Sequence, residues 1–203
     1  MRSLSEIDTV SKRSSRAAGY TWGIAEEVGK NVRLLEFFSL PGIKNLNSFL
    51  NNKKNIKLEN LSLITKDNST NNSQYCPVIA GVNFLDQIKT LENLSEINFE
   101  NIAYPILFLP FVSRASEIVG KRIFLKLDEK EFLMNFNNCI YSNFSKQEIV
   151  KTAERVSIKI VKNEDSFTEN EWKELYKLSE ETFVEENESL KNSGAGAGLT
   201  DND

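Results

Sequence analysis

The chain has 203 residues, 40% of them hydrophobic and 27% charged, and 25 Lys and Arg against 29 Asp and Glu give a net charge of −4. This composition is that of an ordinary soluble globular protein and gives no general reason to expect nucleic-acid binding. Because the sequence contains no histidine, acid–base catalysis by imidazole, histidine-based triads and most zinc sites are excluded.

The sequence predicts a cytoplasmic protein that does not enter a membrane. Its first residues lack the apolar segment of a secretory signal. Its longest apolar run, residues 102–112, is about half as long as a membrane-spanning helix. Cys76 and Cys139 form no CxxC motif and no disulfide framework, so two reduced, buried thiols are expected.

Three helices are predicted in the N-terminal part of the chain. Ser3 can cap the first helix, and Glu6 three residues later completes the pattern of a capping box. Thr21 can cap the second helix, in which apolar residues recur at helical spacing. The predicted helices cover residues 3–18, 21–38 and 43–50.

The next part of the chain mixes strand and helix signals. Residues 61–65 are predicted as a short edge strand and residues 68–74 as a surface loop. After Cys76 and Pro77, apolar residues recur at helical spacing, which predicts a helix that Gly81 weakens. Cys76, at the start of this helix, is either a buried structural thiol or an activated nucleophile.

The strongest strand signal is the apolar and aromatic run of residues 102–112. Pro105 and Pro110 restrict this strand to a sheet edge or interrupt it. Arg114 follows directly on this buried sequence. A cation in that place needs a partner, either a carboxylate of the protein or an anionic ligand.

Alternating apolar residues predict further strands. Residues 122–127 and 131–136 are predicted to pair as a hairpin, and residues 155–161 alternate in the same way. Thr168 and Glu171 form a second capping box, which predicts a helix with Trp172, Leu175, Tyr176 and Ser179 on its packed face.

These elements predict an α+β fold, with N-terminal helices and a C-terminal helix packed on a central mixed or antiparallel sheet. We expect a single domain over residues 1–203. Its parts are a helical part at residues 1–50, a mainly sheet part with a helical segment at residues 61–161, a C-terminal helix at residues 168–184, and a Gly-rich acidic tail at residues 189–203.

The tail contains alternating Gly and Ala at residues 194–198 and two aspartates after them. Such a segment is unsuited to a helix, because each interior Gly costs about 0.5–1 kcal/mol relative to Ala. It can dock on protein, bind a ligand or a hard cation through N–H groups and carboxylates, or fray as a chain end. No metal site, cofactor or catalytic residue is assigned. The candidate ligand-binding residues are Arg114 and, in the tail, Gly194, Gly196, Gly198, Thr200, Asp201 and Asp203.

Two stretches together resemble a known family. Residues 16–30 read Arg-Ala-Ala-Gly-Tyr-Thr-Trp-Gly-Ile-Ala-Glu-Glu-Val-Gly-Lys, and residues 194–203 read Gly-Ala-Gly-Ala-Gly-Leu-Thr-Asp-Asn-Asp. The chain resembles a family of uncharacterised bacterial proteins of this length, a domain of unknown function. The resemblance implies a bacterial cytosolic protein whose tail is a family feature, and it implies no activity.

Two functions are consistent with these observations. In the first, the protein binds or acts on a small metabolite, and its tail contributes to the site. In the second, it is a non-catalytic accessory subunit whose tail inserts into a partner protein. A nucleic-acid partner is not expected, because the basic residues are scattered. The sequence leaves the ligand, the reaction and the oligomeric state open.

Overall fold

The computed structural model describes residues 2–144 and 148–182. The chain divides into two compact units, Met1–Asn163 and Glu164–Asp203. The described residues form five α-helices and eight strands in the first unit and one helix in the second. The predicted α+β class is confirmed.

The first unit opens with the three predicted helices, and their boundaries follow from the residues that cap them. The Ser3 hydroxyl accepts a hydrogen bond from the Glu6 N–H at 3.1 Å, and the Thr21 hydroxyl accepts one from the Ile24 N–H at 3.5 Å. These bonds satisfy N–H groups that the first turn of a helix leaves unpaired. The helices are α1 (Leu4–Ala17), α2 (Trp22–Phe37) and α3 (Gly42–Asn52).

A mixed eight-stranded sheet follows. The strands are β1 (Leu58–Glu59), β2 (Asp67–Asn68), β3 (Gln74–Tyr75), β4 (Ile97–Ala103), β5 (Ile123–Leu127), β6 (Lys130–Asn135), β7 (Cys139–Ser142) and β8 (Thr152–Ile160). Their order across the sheet is β1-β3-β4-β8-β5-β6-β7, and β2 pairs with β4. The pairs β1/β3, β3/β4 and β2/β4 are parallel, whereas the others are antiparallel. The strand β8 therefore lies at the centre of the sheet, although it comes last in the sequence.

The register of the central strands places one row of apolar side chains on one face. Ile97 of β4 and Leu125 of β5 both pair with Ile158 of β8, and all three are buried. Two further helices, α4 (Pro77–Leu91) and α5 (Leu109–Val119), provide the apolar residues that meet this row. The ring of Phe108 lies 5.8 Å from that of Phe84 in α4 and 5.5 Å from that of Phe99 in β4. These aromatic contacts join the helices to the sheet.

The predicted strand at residues 102–112 is wrong over most of its length. β4 ends at Ala103, and the chain continues into a 3₁₀ turn, Pro105–Leu107, and then into α5. Pro105 and Pro110 each lie in the first turn of a helical segment. A proline is tolerated there because the first N–H groups of a helix have no partner within it. A short apolar run alone does not distinguish a buried strand from a buried helix.

The predicted edge strand at residues 61–65 is also wrong. Side chains of α4 satisfy the backbone of this segment: the Asn83 amide donates to the Leu61 carbonyl at 2.6 Å, and the Gln87 amide oxygen accepts from the Ile64 N–H at 3.1 Å. The segment therefore runs beside a helix and does not pair with a strand.

The predicted hairpin is confirmed as β5 and β6, and the last predicted strand as β8. The sequence analysis missed β7, which pairs with β6 through residues such as Leu133 and Tyr141.

The second unit contains the helix α6 (Glu169–Glu180). The predicted capping box is present, since the Thr168 hydroxyl accepts from the Glu171 N–H and the Glu171 carboxylate accepts from the Thr168 N–H at 2.7 Å. The hydrogen bonds that the Glu171 carboxylate accepts from the Thr168 N–H and hydroxyl lower the pKa of Glu171. Trp172, Leu175 and Tyr176, which the sequence predicts on a packed face, are each more than half exposed.

Candidate functional site

An open pocket of about 510 Å³ lies where β3 and β4 meet the start of β8 and the end of α3. We call it the strand-end pocket. Its volume is within the usual range for small-molecule sites, about 300–1,000 Å³. It is lined by Asn52, Asn55, Ile56, Lys57, Asn72, Ser73, Gln74, Asn101, Tyr104, Lys151 and Thr152.

Most of the lining residues are polar, and several carry side-chain amides, which both donate and accept hydrogen bonds. Gln74 on β3 donates through Nε2 to the Thr152 hydroxyl on β8 at 2.9 Å. This bond spans β4, which lies between the two strands, and it orients two lining groups together. Among the described residues that line the pocket, Lys57 and Lys151 carry positive charge and none carries a carboxylate. The site therefore suits a ligand with several hydrogen-bonding groups and no net positive charge.

Three lining residues have left-handed backbone conformations that side chains other than glycine rarely adopt. The φ angles are +56° at Asn72, +57° at Asn101 and +42° at Tyr104. Asparagine tolerates this region better than other residues do, but a buried tyrosine there is a genuine outlier. Strain of this kind costs on the order of 1–3 kcal/mol per residue and is concentrated at functional sites. Three of the seven described non-glycine residues with positive φ line this one pocket, which is a reason to regard the pocket as functional.

The surroundings of Tyr104 hold this residue in place. Its hydroxyl lies 3.0 Å from the Ser48 hydroxyl and accepts a hydrogen bond from the Asn52 amide at 3.3 Å. Its ring lies 5.5 Å from that of Phe49, and its N–H donates to the Lys151 carbonyl at 2.9 Å. Tyr104 therefore fixes α3 against the end of β4 and the start of β8, which form the sides of the pocket.

The predicted site residue Arg114 does not line the strand-end pocket. Its guanidinium donates to the Glu27 carboxylate on α2 and, at 3.3 Å, to the Asn31 amide oxygen. Glu27 also accepts from Lys30 at 2.8 Å. The side chains of Arg114 and Glu27 are 26% and 21% exposed. Of the two partners that the sequence allowed for Arg114, the structure therefore shows the carboxylate of the protein.

The pKa of Glu27 reflects this ion pair. Burial of the carboxylate acts to raise the pKa, but the hydrogen bonds and positive charges of Lys30 and Arg114 outweigh it and hold the pKa below its ordinary value. Glu27 is therefore ionised at neutral pH, and the pair stabilises the contact between α2 and α5.

The thiol of Cys76 is 2% exposed and lies 3.3 Å from the Tyr20 hydroxyl. Burial raises the pKa of Tyr20, and the neighbouring thiol adds to the effect. The Lys53 ammonium lies 3.8 Å from the centre of the Tyr20 ring and donates to the Ala18 carbonyl at 3.0 Å. This cluster joins three segments through buried contacts, which is consistent with a structural thiol.

The remaining predicted site residues, Gly194, Gly196, Gly198, Thr200, Asp201 and Asp203, lie outside the described residues. Within the part of the chain that the structure describes, no group of three or more Cys, Asp or Glu side chains is arranged to hold a metal ion. No helix in that part is long and apolar enough to cross a membrane.

The sequence analysis did not find the strand-end pocket, because its lining comes from four separate segments: residues 52–57, 72–74, 101–104 and 151–152. One local signal was available. Asparagine is frequent in these segments and tolerates the left-handed conformations seen there.

No curated protein and no solved structure matches the chain. The bacterial origin and the C-terminal motif stay predictions. Residues 2–75 match the model of a family described as "Protein of unknown function (DUF3726)", so the resemblance to a family of unknown function is confirmed over this part of the chain.

Proposed function

We propose that the protein binds or acts on a small polar metabolite in the strand-end pocket, and that residues 194–203 contribute to the site. The observation that carries this proposal is that a concave surface lined mainly by polar residues includes three left-handed backbone conformations, at Asn72, Asn101 and Tyr104. Backbone strain retained around a pocket supports a pre-organised binding site.

The residue types in the pocket favour binding over catalysis. The chain has no histidine, and the titratable groups that line the pocket are Lys57, Lys151 and Tyr104. The Tyr104 hydroxyl is already engaged by Ser48 and Asn52. Amides and hydroxyls such as Gln74 and Thr152 recognise polar ligands without supplying a base.

We propose a bacterial cytoplasm as the setting for this function. Cys76 and Cys139 are both free thiols in the structure, which supports a reducing compartment, because disulfides form and persist in oxidising ones.

The pocket is tested by adding pools of polar metabolites to the full chain and recording amide chemical shifts by NMR. A ligand of the strand-end pocket is expected to shift the resonances of Gln74, Asn101 and Thr152. Thr152→Val removes the hydroxyl that accepts from Gln74 and should weaken binding about fivefold or more. Thr90→Val, at an exposed position of α4 outside the lining, is the matched control.

The contribution of the tail is tested separately by deleting residues 194–203. Weaker binding of the same ligand would support a role in the site. Unchanged binding would remove the tail from the proposal and leave the pocket in it.

A second candidate function is that of an accessory subunit, and one observation favours it. α6 exposes Trp172, Leu175 and Tyr176, and aromatic and apolar residues on one helix face are typical of helices that bind a groove on a partner. Native mass spectrometry of the protein isolated from its host distinguishes the two functions, since a retained small molecule supports the pocket and a second chain supports the accessory role.

A further inference from the structure

We propose that the ligand of the strand-end pocket is an organic anion, a metabolite with carboxylate or phosphate groups, which Lys57 and Lys151 recognise. This inference rests on the proposed function, because it names the chemical class of ligand for the same pocket.

The charge of the lining is the first argument. Lys57 and Lys151 are exposed side chains of the pocket, and within the described residues neither ammonium group forms an ion pair with a carboxylate. Other lysines of the same unit, such as Lys121 and Lys130, do form ion pairs. Two unpaired cations beside one concave surface attract an anion and disfavour a cation.

The carboxylate of Glu59 lies beside the pocket and opposes the attraction of an anion. Glu59 is not among the lining residues, but it accepts a hydrogen bond from the hydroxyl of the lining residue Ser73 at 2.8 Å. Its negative charge offsets part of the field of the lysines. Among the described residues, the lining itself carries two positive groups and no carboxylate.

The position of the two lysines is the second argument. The Lys57 carbonyl accepts from the Gln74 N–H, and the Lys151 carbonyl accepts from the Tyr104 N–H, both at 2.9 Å. Lys57 precedes β1 and Lys151 precedes β8, and these strands are separated by β3 and β4. Three strand spacings separate their backbones by about 14 Å across the sheet alone. The lysines therefore flank the pocket from opposite sides, which favours an extended anion or one with two charged groups.

The neutral lining groups fit the same class of ligand. The amides of Asn55, Asn72 and Asn101 each carry two N–H donors, and oxygen atoms of carboxylates and phosphates form strong, charge-assisted hydrogen bonds with such donors.

The test uses isothermal titration calorimetry of the full chain with three probes: inorganic phosphate, succinate and glucose. We expect an anion to bind and glucose to bind much more weakly. Lys57→Gln and Lys151→Gln should each weaken anion binding about fivefold or more. The control Lys89→Gln removes the same charge from an exposed position of α4 that does not line the pocket, and it should leave the affinity unchanged.

The probes also separate the two sources of negative charge. Tighter binding of phosphate assigns a phosphate ester, and tighter binding of succinate assigns a carboxylate; either result supports the inference. Higher salt should weaken both, since the Debye length falls from about 30 Å at 0.01 M to about 3 Å at 1 M. Circular dichroism of each variant verifies that it is folded.

Two results would overturn the inference, and they differ in what they say about the proposed function. If a neutral metabolite shifts the resonances of Asn101 and Tyr104 and both lysine variants bind it normally, the ligand is not an anion but the pocket is still a binding site. If neither anion binds at millimolar concentration and no metabolite shifts these resonances, both proposals fail.

Discussion

The crossing of α4 and α5 offers a sharp test of the packing, because it depends on the absence of one side chain. A Cβ atom added at Gly81 would lie 2.2 Å from Cδ2 of Phe111 and 2.6 Å from its Cγ and Cε2. Carbon atoms in favourable contact are about 3.5–4.0 Å apart. Phe111 is 1% exposed, so its ring has no solvent to move into. We therefore predict that Gly81→Ala destabilises the protein.

The expected magnitude is the difference between two effects. Replacing a glycine in a helix interior by alanine contributes about 0.5–1 kcal/mol of stability. Forcing an extra methyl group into a well-packed core typically costs about 1–3 kcal/mol. Because the overlap with the Phe111 ring exceeds 1 Å, we place the steric cost near the upper end. The free energy of unfolding should therefore fall by about 2–2.5 kcal/mol.

Urea unfolding measures this change through the midpoint of the transition. Gly23→Ala in α2 is the matched control, since a Cβ added there meets no described atom within 4 Å apart from its chain neighbours and the nearby backbone of its own helix. It should be neutral or stabilising. Phe111→Leu should relieve the clash, so that the double variant is less destabilised than the sum of the single ones. A Gly81→Ala protein as stable as the wild type would refute the reasoning.

Three further substitutions test other contacts by urea unfolding. The pKa of Glu27 is lowered in the folded chain. The ionised Glu27 side chain therefore stabilises the fold fully above its unfolded pKa of about 4.3, and this stabilisation is lost as the pH falls through the folded pKa. Glu27→Gln should lower the free energy of unfolding by about 1–2 kcal/mol at neutral pH and by progressively less below pH 4. Lys53→Met should cost about 1 kcal/mol, because it removes the cation over the Tyr20 ring. Asn101→Ala should cost about 1–2 kcal/mol, because its φ of +57° strains an alanine.

Each of these predictions has a control. Glu26→Gln, at the exposed neighbouring position, should show little of the pH-dependent loss of stability expected for Glu27→Gln. If the two variants lost the same stability at all pH values, the ion-pair explanation would be contradicted. Lys54→Met, also exposed, should be nearly neutral. Asn101→Gly should be tolerated better than Asn101→Ala, since glycine adopts positive φ readily; the reverse order would argue against backbone strain.

Local signals in the sequence predicted local structure well. The caps Ser3, Thr21 and Thr168 each begin a helix and accept the hydrogen bond that the pattern requires. The strands β5 and β6 were predicted because they are adjacent in the chain and alternate clearly. In these cases the residues that determine the structure lie within a few positions of one another.

The errors arose where distant parts of the chain decide the outcome. The run from Ile102 to Val112 is apolar throughout because both the end of β4 and the beginning of α5 are buried, so its composition carried no period that distinguishes a strand from a helix. The placement of β8 between β4 and β5 is a pairing of segments far apart in sequence, which no short pattern encodes. The strand-end pocket depends on both features.

The central position of β8 has a consequence for how the chain is made. Until residues 152–160 have left the ribosome, β4 and β5 have no common neighbour, and the growing chain holds two separate parts of a sheet with unpaired edges. Such edges favour association with other chains, and pairings of this sequence separation form slowly. The segment that matches the family model ends at residue 75 and contains the helices α1, α2 and α3 and, of the strands of the sheet, the short strands β1, β2 and β3. The strands of this segment join the sheet only after later residues have been synthesised. The end of the family match at residue 75 is therefore not the end of a unit that folds completely by itself.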